Sequence, residues 1–283
     1  MTTTTATTAD ASGSSEPVLS AVAVSVRFGG IAALADVSLD VAAGACTGLV
    51  GPNGAGKSTM FAVLSGLLRP DAGRVILRGA DVSRASPQSR ARRGLARTFQ
   101  QPELFAWLTV REHLLLADRV RHARGRLWRD TFLGGGLRGE AEDESDRVDG
   151  LVELLSLTRV QDDGVDTLPL GTSRLVEIGR ALATSPTVVL LDEPFSGLTG
   201  HEAEQLSRAL NSVVSERAVA FVVVEHDVPL VLELCPRVFV LDFGRLIAAG
   251  TPSEIRASHE VRDAYLGDEG AKSTRRSERA ITP

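Results

Sequence analysis

The segment 51–59 constrains the fold of this chain more than any other part of it. Its sequence, GPNGAGKST, fits the pattern G-x-x-x-x-G-K-[ST] of a phosphate-binding loop. The apolar run 46–50 before it predicts a strand, and residues 57–68 after it predict a helix. In that setting glycines let backbone N–H groups curl around a polyphosphate, and the helix dipole favours the negative charge. The alternative, a chance glycine-rich turn, is disfavoured by the length of the match and by both flanks.

Individual positions of the loop have expected tasks. The Lys57 ammonium is expected to reach the β- and γ-phosphates, and the Ser58 hydroxyl is expected to coordinate Mg²⁺. The residues predicted to bind nucleotide in this loop are Gly51, Pro52, Asn53, Gly54, Ala55, Gly56, Lys57, Ser58 and Thr59.

Two acidic residues follow a second apolar run. Residues 188–191 predict a strand buried on both faces of a parallel sheet, and Asp192 and Glu193 come directly after it. Asp192 is placed to hold Mg²⁺, usually through a water, and Glu193 to orient or deprotonate an attacking water. Alone, such a pair is typical of a strand end with solvated acids. Downstream of a phosphate-binding loop, it predicts nucleotide hydrolysis.

A histidine ends the next apolar run. Residues 221–224 predict another buried strand, which is followed by Glu225, His226 and Asp227. Ligands bind at the carboxyl ends of parallel strands, so we expect His226 to donate a hydrogen bond to the γ-phosphate. A surface histidine without that role is the alternative.

The bulk composition excludes several other classes of protein. Of the 283 residues, 43% are hydrophobic and 24% charged, which is ordinary for one large or two small globular domains. The net charge of −5 gives no general indication of nucleic-acid binding. No stretch approaches the roughly 18 consecutive apolar residues that span a bilayer. Cys46 and Cys235 are expected to be buried thiols of a reducing compartment, and no Cys/His cluster has metal-ligand spacing.

The order of predicted elements favours an α/β core with a helical subdomain. Residues 18–28 and 33–41 alternate like antiparallel strands, and 238–242 and 245–249 predict a hairpin. A short strand is predicted at 74–78, and 125–139 is predicted to be a loop or a small helical insert. Helices are predicted at 87–93, 110–121, 140–157, 174–183 and 202–216.

Terminal segments and basic clusters complete the organisation. Residues 1–16 lack the basic segment and apolar core of a secretory signal and are predicted to be a disordered leader, and 268–283 a disordered tail. Basic clusters lie at 84–97, 119–129 and 272–279. Such clusters are commonly solvated faces. The first two could also contact a partner or the headgroup side of a membrane.

Together these motifs resemble the ATP-binding subunits of ABC transporters, over about residues 18–267. The resemblance implies a P-loop NTPase cassette, within 17–267, with a RecA-like core, an antiparallel β subdomain and a helical subdomain at about 101–185. It implies ATP and Mg²⁺ as cofactors. It also implies that Gln100, in Thr98-Phe99-Gln100, contacts Mg²⁺ and faces the membrane subunit. Phe28 falls where the family places an aromatic ring that stacks on adenine, although a core residue is the alternative.

Two motifs depart from that family. Its signature, L-S-G-G-Q at a helix N-terminus, reaches across a dimer to the γ-phosphate held by the partner. This chain has Leu168-Pro169-Leu170-Gly171-Thr172, in which the proline removes a hydroxyl and an N–H donor. Gly171 retains one position of close backbone approach to nucleotide. The second departure is Thr199 in SGLT, where the family usually has Asp.

Several stretches resemble the branched-chain amino acid branch of the family: 27–30, 96–100, 176–178, 250–252 and 264–267. That branch implies integral membrane permeases as separate chains, an extracytoplasmic substrate-binding protein acting indirectly, and a peripheral position at the cytoplasmic face of the membrane. The ATPase partner is expected to be a second, different subunit, with a homodimer as the alternative. Nucleic acid is not an expected partner.

Other classes stay open at this point. Urea or amide uptake and lipopolysaccharide export are the alternatives within transport. ABC ATPases that act on DNA or the ribosome usually carry two cassettes or a long coiled-coil insert, which this chain lacks. P-loop kinases lack the combination of Gln100, Glu193 and His226.

Overall fold

A six-stranded sheet carries the apolar runs that precede the predicted site residues. The computed structural model of the chain describes residues 16–100, 103–133 and 137–265. In the order β10-β9-β3-β8-β7-β6, all neighbouring strands are parallel except the antiparallel pair of β10 and β9. The strands are β3 (Cys46–Val50), β6 (Leu95–Arg97), β7 (Val188–Asp192), β8 (Ala220–Val224), β9 (Arg237–Asp242) and β10 (Arg245–Gly250).

Both faces of this sheet are covered, as continuous apolar strands require. On β7, Val188 and Leu190 pack in a cluster with the second sheet, whereas Val189 and Leu191 pack in a cluster with most of the helices. Because successive side chains of a strand point to opposite faces, the two clusters lie on opposite sides of the sheet. The prediction of a strand buried on both faces is therefore confirmed.

The second sheet is antiparallel and has the order β2-β1-β4-β5. The predicted pair of strands near the N-terminus is confirmed: Phe28 pairs with Ile31 across the turn Gly29-Gly30. Its strands are β1 (Leu19–Phe28), β2 (Ile31–Val41), β4 (Ala72–Leu77) and β5 (Ala80–Asp81).

The helices connect the strands and cover the sheet. Helix α1 follows the phosphate-binding loop and ends at Gly66, whose positive φ of 83° stops it before the predicted end at residue 68. The helices are α1 (Lys57–Ser65), α2 (Pro87–Arg92), α3 (Val110–Leu133), α4 (Leu137–Leu154), α5 (Leu170–Ala183), α6 (Gly200–Arg217), α7 (Val228–Leu234) and α8 (Pro252–Ala257).

Of the two structures predicted for 125–139, a loop and a small helical insert, the loop is wrong, because the described residues there are helical. Helix α3 continues to Leu133, and α4 begins at Leu137, while residues 134–136 lie outside the described part. One glycine inside a helix costs only about 1 kcal/mol, and the neighbouring Arg and Leu residues are good helix formers. Gly125 therefore does not end α3.

Helix α5 begins earlier than predicted. It was expected at 174–183, but it starts at Leu170, with Pro169 as its N-cap residue. Proline is well tolerated there because the amides at the start of a helix have no intrahelical partner. Residues 170–172 of the signature-like segment thus lie in the first turn of α5, while Leu168 and Pro169 precede the helix.

No helix in the described ranges is long and apolar enough to cross a membrane. The domain limits at 17 and 267, the leader 1–16 and the tail 268–283 stay predictions, because residues 1–15 and 266–283 lie outside the description.

Candidate nucleotide site

A cleft of about 370 Å³ lies at the carboxyl end of β3. Residues 53–59 and Glu193 line one part of it, and residues 31–33 with Phe243 and Gly244 line the rest. Its volume lies in the range of small-molecule sites. The cleft is therefore lined by the phosphate-binding loop, by the predicted catalytic residue Glu193 and by apolar residues, some of which belong to β2 of the second sheet.

The phosphate-binding loop passes close to β2 and ends in an uncapped helix. Gly56 has a φ of 103°, and a Cβ at this position would lie 2.7 Å from the carbonyl oxygen of Ala33. Only glycine fits there without displacing backbone. Helix α1 starts at Lys57 with no side-chain cap on its N-terminus, so its first amides are available to an anion in the cleft.

Lys57 is a buried cation held by its own loop. Its Nζ donates to the carbonyl oxygens of Gly51 at 2.5 Å and Pro52 at 3.0 Å. Burial lowers the pKa of Lys57, and the charges of Glu193 and Glu225 oppose that shift. These bonds place the ammonium beside the cleft, where phosphate oxygens can replace the carbonyls.

Glu193 occupies an uncommon backbone conformation directly after β7. Its φ of 47° is left-handed, and its amide donates to Val224 O on the neighbouring strand at 2.9 Å. Gln100 Nε2 donates to Glu193 Oε2 at 2.9 Å. The structure thus brings Gln100 and Glu193 together at the cleft, although they are far apart in sequence.

Asp192 lies half-buried at the end of β7 and is not among the residues that line the cleft. Burial raises the pKa of Asp192, and the charge of Glu193 raises it further, while Arg97 opposes both. A cation beside this carboxylate would therefore relieve an unfavourable charge.

The loop that carries Gln100 is fastened to α5 by two residues that the sequence did not single out. Arg174 donates to Phe99 O at 3.1 Å and to Gln100 O at 2.5 Å. The Glu177 carboxylate accepts the Phe99 amide at 2.7 Å. Burial raises the pKa of Glu177. Arg174 and Glu177 are three residues apart and so lie on one face of the helix. Only this spacing could have predicted from the sequence that the two residues act together.

His226 is exposed beyond β8, next to a buried acid. Its Nδ1 lies 3.7 Å from Glu225 Oε2. Glu225 accepts the Phe195 amide at 2.9 Å and the His226 amide at 3.3 Å, so it connects the loops after β7 and β8. Burial raises the pKa of Glu225. No role for Glu225 was predicted, because the motif does not show which of its three polar residues is buried.

Phe28 and Phe243 differ in their relation to the cleft. Phe28 ends β1 and is 53% exposed, but it is not among the described residues that line the cleft. Phe243 lines the cleft and is 85% exposed. The sequence pointed to Phe28 and missed Phe243, which lies in the turn between β9 and β10.

The first turn of α5 already has an anionic partner. The Gly171 amide donates to Glu202 Oε1 at 3.0 Å. Glu202 Oε2 also accepts the amide and the hydroxyl of Thr199, which caps α6. Bonds from the Thr199 backbone and side chain, and then from Gly171, lower the pKa of Glu202. The Gly171 amide, which the family resemblance predicts to be a donor to a γ-phosphate, therefore already donates to a carboxylate.

The comparison with sequence families decides the family of this chain. Residues 34–196 match the family described as ABC transporter. The chain belongs to the ABC transporter ATP-binding family. Residues 245–271 of this ABC ATPase also match the family described as branched-chain amino acid ATP-binding cassette transporter. The predicted family, ATP binding and ATPase activity are thereby confirmed.

Curated relatives match the ABC ATPase over most of its length. The high-affinity branched-chain amino acid transport ATP-binding proteins BraF of Pseudomonas aeruginosa and LivG of Escherichia coli are each 34% identical to it. Each match covers 90% of the chain and 99% of the relative. The lipopolysaccharide export system ATP-binding protein LptB of Haemophilus influenzae is 32% identical, over 83% of the chain and 91% of the relative.

Solved structures confirm the predicted cassette fold. The ADP conformation of MJ1267, an ATP-binding cassette of an ABC transporter, has a TM-score of 0.74 and 28% identity. It covers 89% of this chain and 100% of the other. The cbiO1 protein of Clostridium perfringens has a TM-score of 0.73 at 23% identity, which supports the fold alone.

Proposed function

We propose that this ABC ATPase powers the uptake of branched-chain or other hydrophobic amino acids. The match of residues 245–271 to the branched-chain transporter family carries this proposal. The relatives BraF and LivG support it because they match over 90% of the chain, against 83% for LptB. Lipopolysaccharide export and the uptake of urea or amides are the competing transport functions.

We propose that hydrolysis in this cleft uses the residues that the sequence predicts for it. Glu193 orients or deprotonates the water that attacks the γ-phosphorus, and the bond between that phosphorus and ADP breaks. The Gln100 amide fixes the Glu193 carboxylate through their 2.9 Å bond. Lys57 stabilises charge on the β- and γ-phosphates, and His226 donates a hydrogen bond to the γ-phosphate. Phe28 stacks on the adenine.

The donor set fits Mg²⁺. Among the described residues, no group of three or more His, Cys, Asp and Glu side chains could hold a metal ion. Mg²⁺ in nucleotide sites, however, uses only one or two carboxylates beside phosphate oxygens and waters. We propose that Ser58, Gln100 and Asp192 supply the protein oxygens, and the bound ion would neutralise phosphate charge. The raised pKa of Asp192 supports this role, because a cation beside its carboxylate would relieve an unfavourable charge.

We also propose that the chain works at the cytoplasmic face of the membrane, bound to separate permease subunits. Exposed arginines on and after α2, Gln100 and the exposed apolar residues Leu116 and Val120 of α3 form the proposed docking face. The second ATPase of the complex is proposed to be a different chain. The hydrogen bond from the Gly171 amide to the Glu202 carboxylate supports that arrangement. In a homodimer, both ATP sites would contain a signature segment whose Gly171 amide is already bonded in this way.

Uptake by cells that lack this chain tests the proposed substrate. Wild-type chain should restore transport of radiolabelled leucine, isoleucine and valine, and Lys57→Ala should not. Restored transport of urea or an amide, or restored lipopolysaccharide export, with unchanged leucine uptake would overturn the proposal.

A further inference from the structure

We propose that Phe243 contacts the adenine base of ATP, in addition to the predicted contact from Phe28. The inference rests on ATP binding in the cleft. It is carried by the placement of Phe243 on the cleft wall, in a strained two-residue turn that is bonded to the phosphate-binding loop.

Phe243 and Gly244 form the turn between β9 and β10. Asp242 pairs with Arg245 across the turn, so the loop has two residues. Both have positive φ, 41° for Phe243 and 75° for Gly244. Asn-Gly, Asp-Gly and Gly-Gly are the usual sequences in such turns, because their first residue tolerates that conformation. Phenylalanine is an unfavourable choice for the first position.

The turn is held against the site by backbone bonds. The Gly244 amide donates to Ala55 O of the phosphate-binding loop at 2.9 Å, and the Ala35 amide donates to Gly244 O at 2.8 Å. A Cβ at Gly244 would lie 2.6 Å from Ala33 O, so the approach requires glycine. The Phe243 ring is therefore carried by a fixed backbone, next to the loop that holds the phosphates.

Phe243 has two energetically unfavourable features, its backbone conformation and the exposure of its ring. Its backbone is left-handed, and its ring is 85% exposed. Backbone strain of this kind persists only where the surrounding structure holds it, and strained residues cluster at functional sites and ligand clamps. Packing in the core explains neither the strained backbone nor the exposed ring. Phe243 lies outside both buried apolar clusters of the described residues.

The two parts of the cleft suit the two parts of a nucleotide. Amides, Lys57 and hydroxyls line the part formed by residues 53–59, which fits the triphosphate. Besides residues 53–59 and Glu193, the cleft is lined by Ile31, Ala32, Ala33, Phe243 and Gly244, none of which has a polar side chain. A flat, apolar purine is the portion of ATP that fits this apolar lining, and an aromatic ring is its natural neighbour.

Calorimetric titration of the purified full-length chain with ATP and with tripolyphosphate tests the inference. Phe243→Asn should weaken ATP binding about tenfold, the scale of a lost base–aromatic stack. Tripolyphosphate, which has no base, should bind as to wild type. The melting temperature should not fall, because Asn suits the first position of this turn.

Phe28→Ala measures the contribution of the other proposed adenine contact separately, and Phe243→Ala checks that asparagine adds no contact of its own. Unchanged ATP affinity in both Phe243 variants would overturn the inference, whatever Phe28→Ala shows. An equal loss for ATP and tripolyphosphate would also overturn it, since Phe243 would then act only on the phosphate-binding loop. Wild-type chain that binds neither ligand would instead overturn the assignment of the cleft to nucleotide, and Phe243 with it.

Discussion

His113 on α3 is a buried histidine whose two ring nitrogens both bond to backbone. Its Nε2 accepts the Phe105 amide at 2.8 Å, so we assign the ring proton to Nδ1, which donates to Thr109 O at 2.8 Å. Burial lowers the pKa of His113 from its usual 6.5, and Arg180 lowers it further, while Thr109 and Glu112 oppose the shift. The folded protein therefore favours neutral His113.

This assignment predicts a pH dependence of stability. A lowered pKa in the folded state means that the stabilisation is complete above pH 6.5 and is lost as the pH falls through the folded-state pKa. His113→Gln should therefore lose less unfolding free energy than wild type between about pH 7.5 and about pH 5.5, measured by denaturant titration. His201→Gln, at an exposed position on α6, is the control and should follow wild type. A His113→Gln profile that superimposes on the wild-type profile would contradict the assignment.

For single residues, motif spacing pointed to residues 53–59 and Glu193 of the cleft lining, but it missed Phe243 and the residues that support the site. Lys57 and Glu193 follow apolar runs, and strand polarity alone places them at one edge of a sheet. The roles of Glu225, Arg174 and Glu177 arise from contacts between loops and helices remote in sequence. No local pattern contains that information.

Among the elements, the basic stretch 84–97 contains both arginines that are packed within the fold and arginines that stay at the surface. Arg90 on α2 is fully buried and donates to Val63 O at 2.6 Å and to Leu64 O at 2.7 Å, at the end of α1. Burial lowers the pKa of Arg90 to about 10. Arg97 lies over the rings of Phe61 and Phe99. The arginines left at the surface are Arg84, Arg92 and Arg93.

Substitution distinguishes these two groups of arginines. Arg92→Glu with Arg93→Glu should release the subunit from permease-containing membranes, measured by co-sedimentation, without changing its melting temperature. Arg90→Ala should instead cost about 3 kcal/mol of unfolding free energy, because it removes two charge-assisted hydrogen bonds to backbone carbonyl oxygens and the packing of a fully buried side chain. Membrane binding that survives the double reversal would show that Arg92 and Arg93 are only a solvated face.

Helices α6 and α8 begin with the same capping box, which provides a matched pair of variants. Thr199 with Glu202 and Thr251 with Glu254 make equivalent bonds, but only Glu202 also accepts an amide from α5. Glu202→Gln should raise ATP-dependent association of cassettes by about fivefold, since it removes a negative charge from the place where a partner's γ-phosphate is expected. Light scattering can measure this, and Glu254→Gln should leave association unchanged. A lower association in Glu202→Gln would show that the carboxylate orders the signature rather than competing with phosphate.

Element boundaries were predictable where one local rule dominated. The strands β3, β7 and β8 were predicted within one residue, because each is a continuous apolar run. The short elements β5, β6, α7 and α8 were missed, since two to seven residues carry too little periodicity. Tertiary packing decides such segments.

For the whole molecule, the parallel strand order brings Gln100, Glu193, His226 and the loop after β3 to one edge of the six-stranded sheet. The signature turn of α5 offers its Gly171 amide to Glu202 instead of to a free site. One well-formed and one weakened ATP site are therefore expected in a dimer with a second, complete ATPase subunit. Purified alone, the chain should hydrolyse ATP poorly, and adding that subunit should raise turnover sharply. A fully active transporter made from this chain and the permeases alone would contradict the heterodimer.

The most direct test of ATP hydrolysis at this cleft is the ATP turnover of the assembled transporter carrying Glu193→Gln in this chain. Turnover should fall by roughly 100-fold or more, the scale of lost base catalysis, while ATP binding is retained. Lys57→Ala is the counterpart, which should lose ATP affinity because it removes the cation expected on the β- and γ-phosphates. Wild-type turnover of the transporter that carries Glu193→Gln would contradict the role of Glu193 in ATP hydrolysis at this cleft.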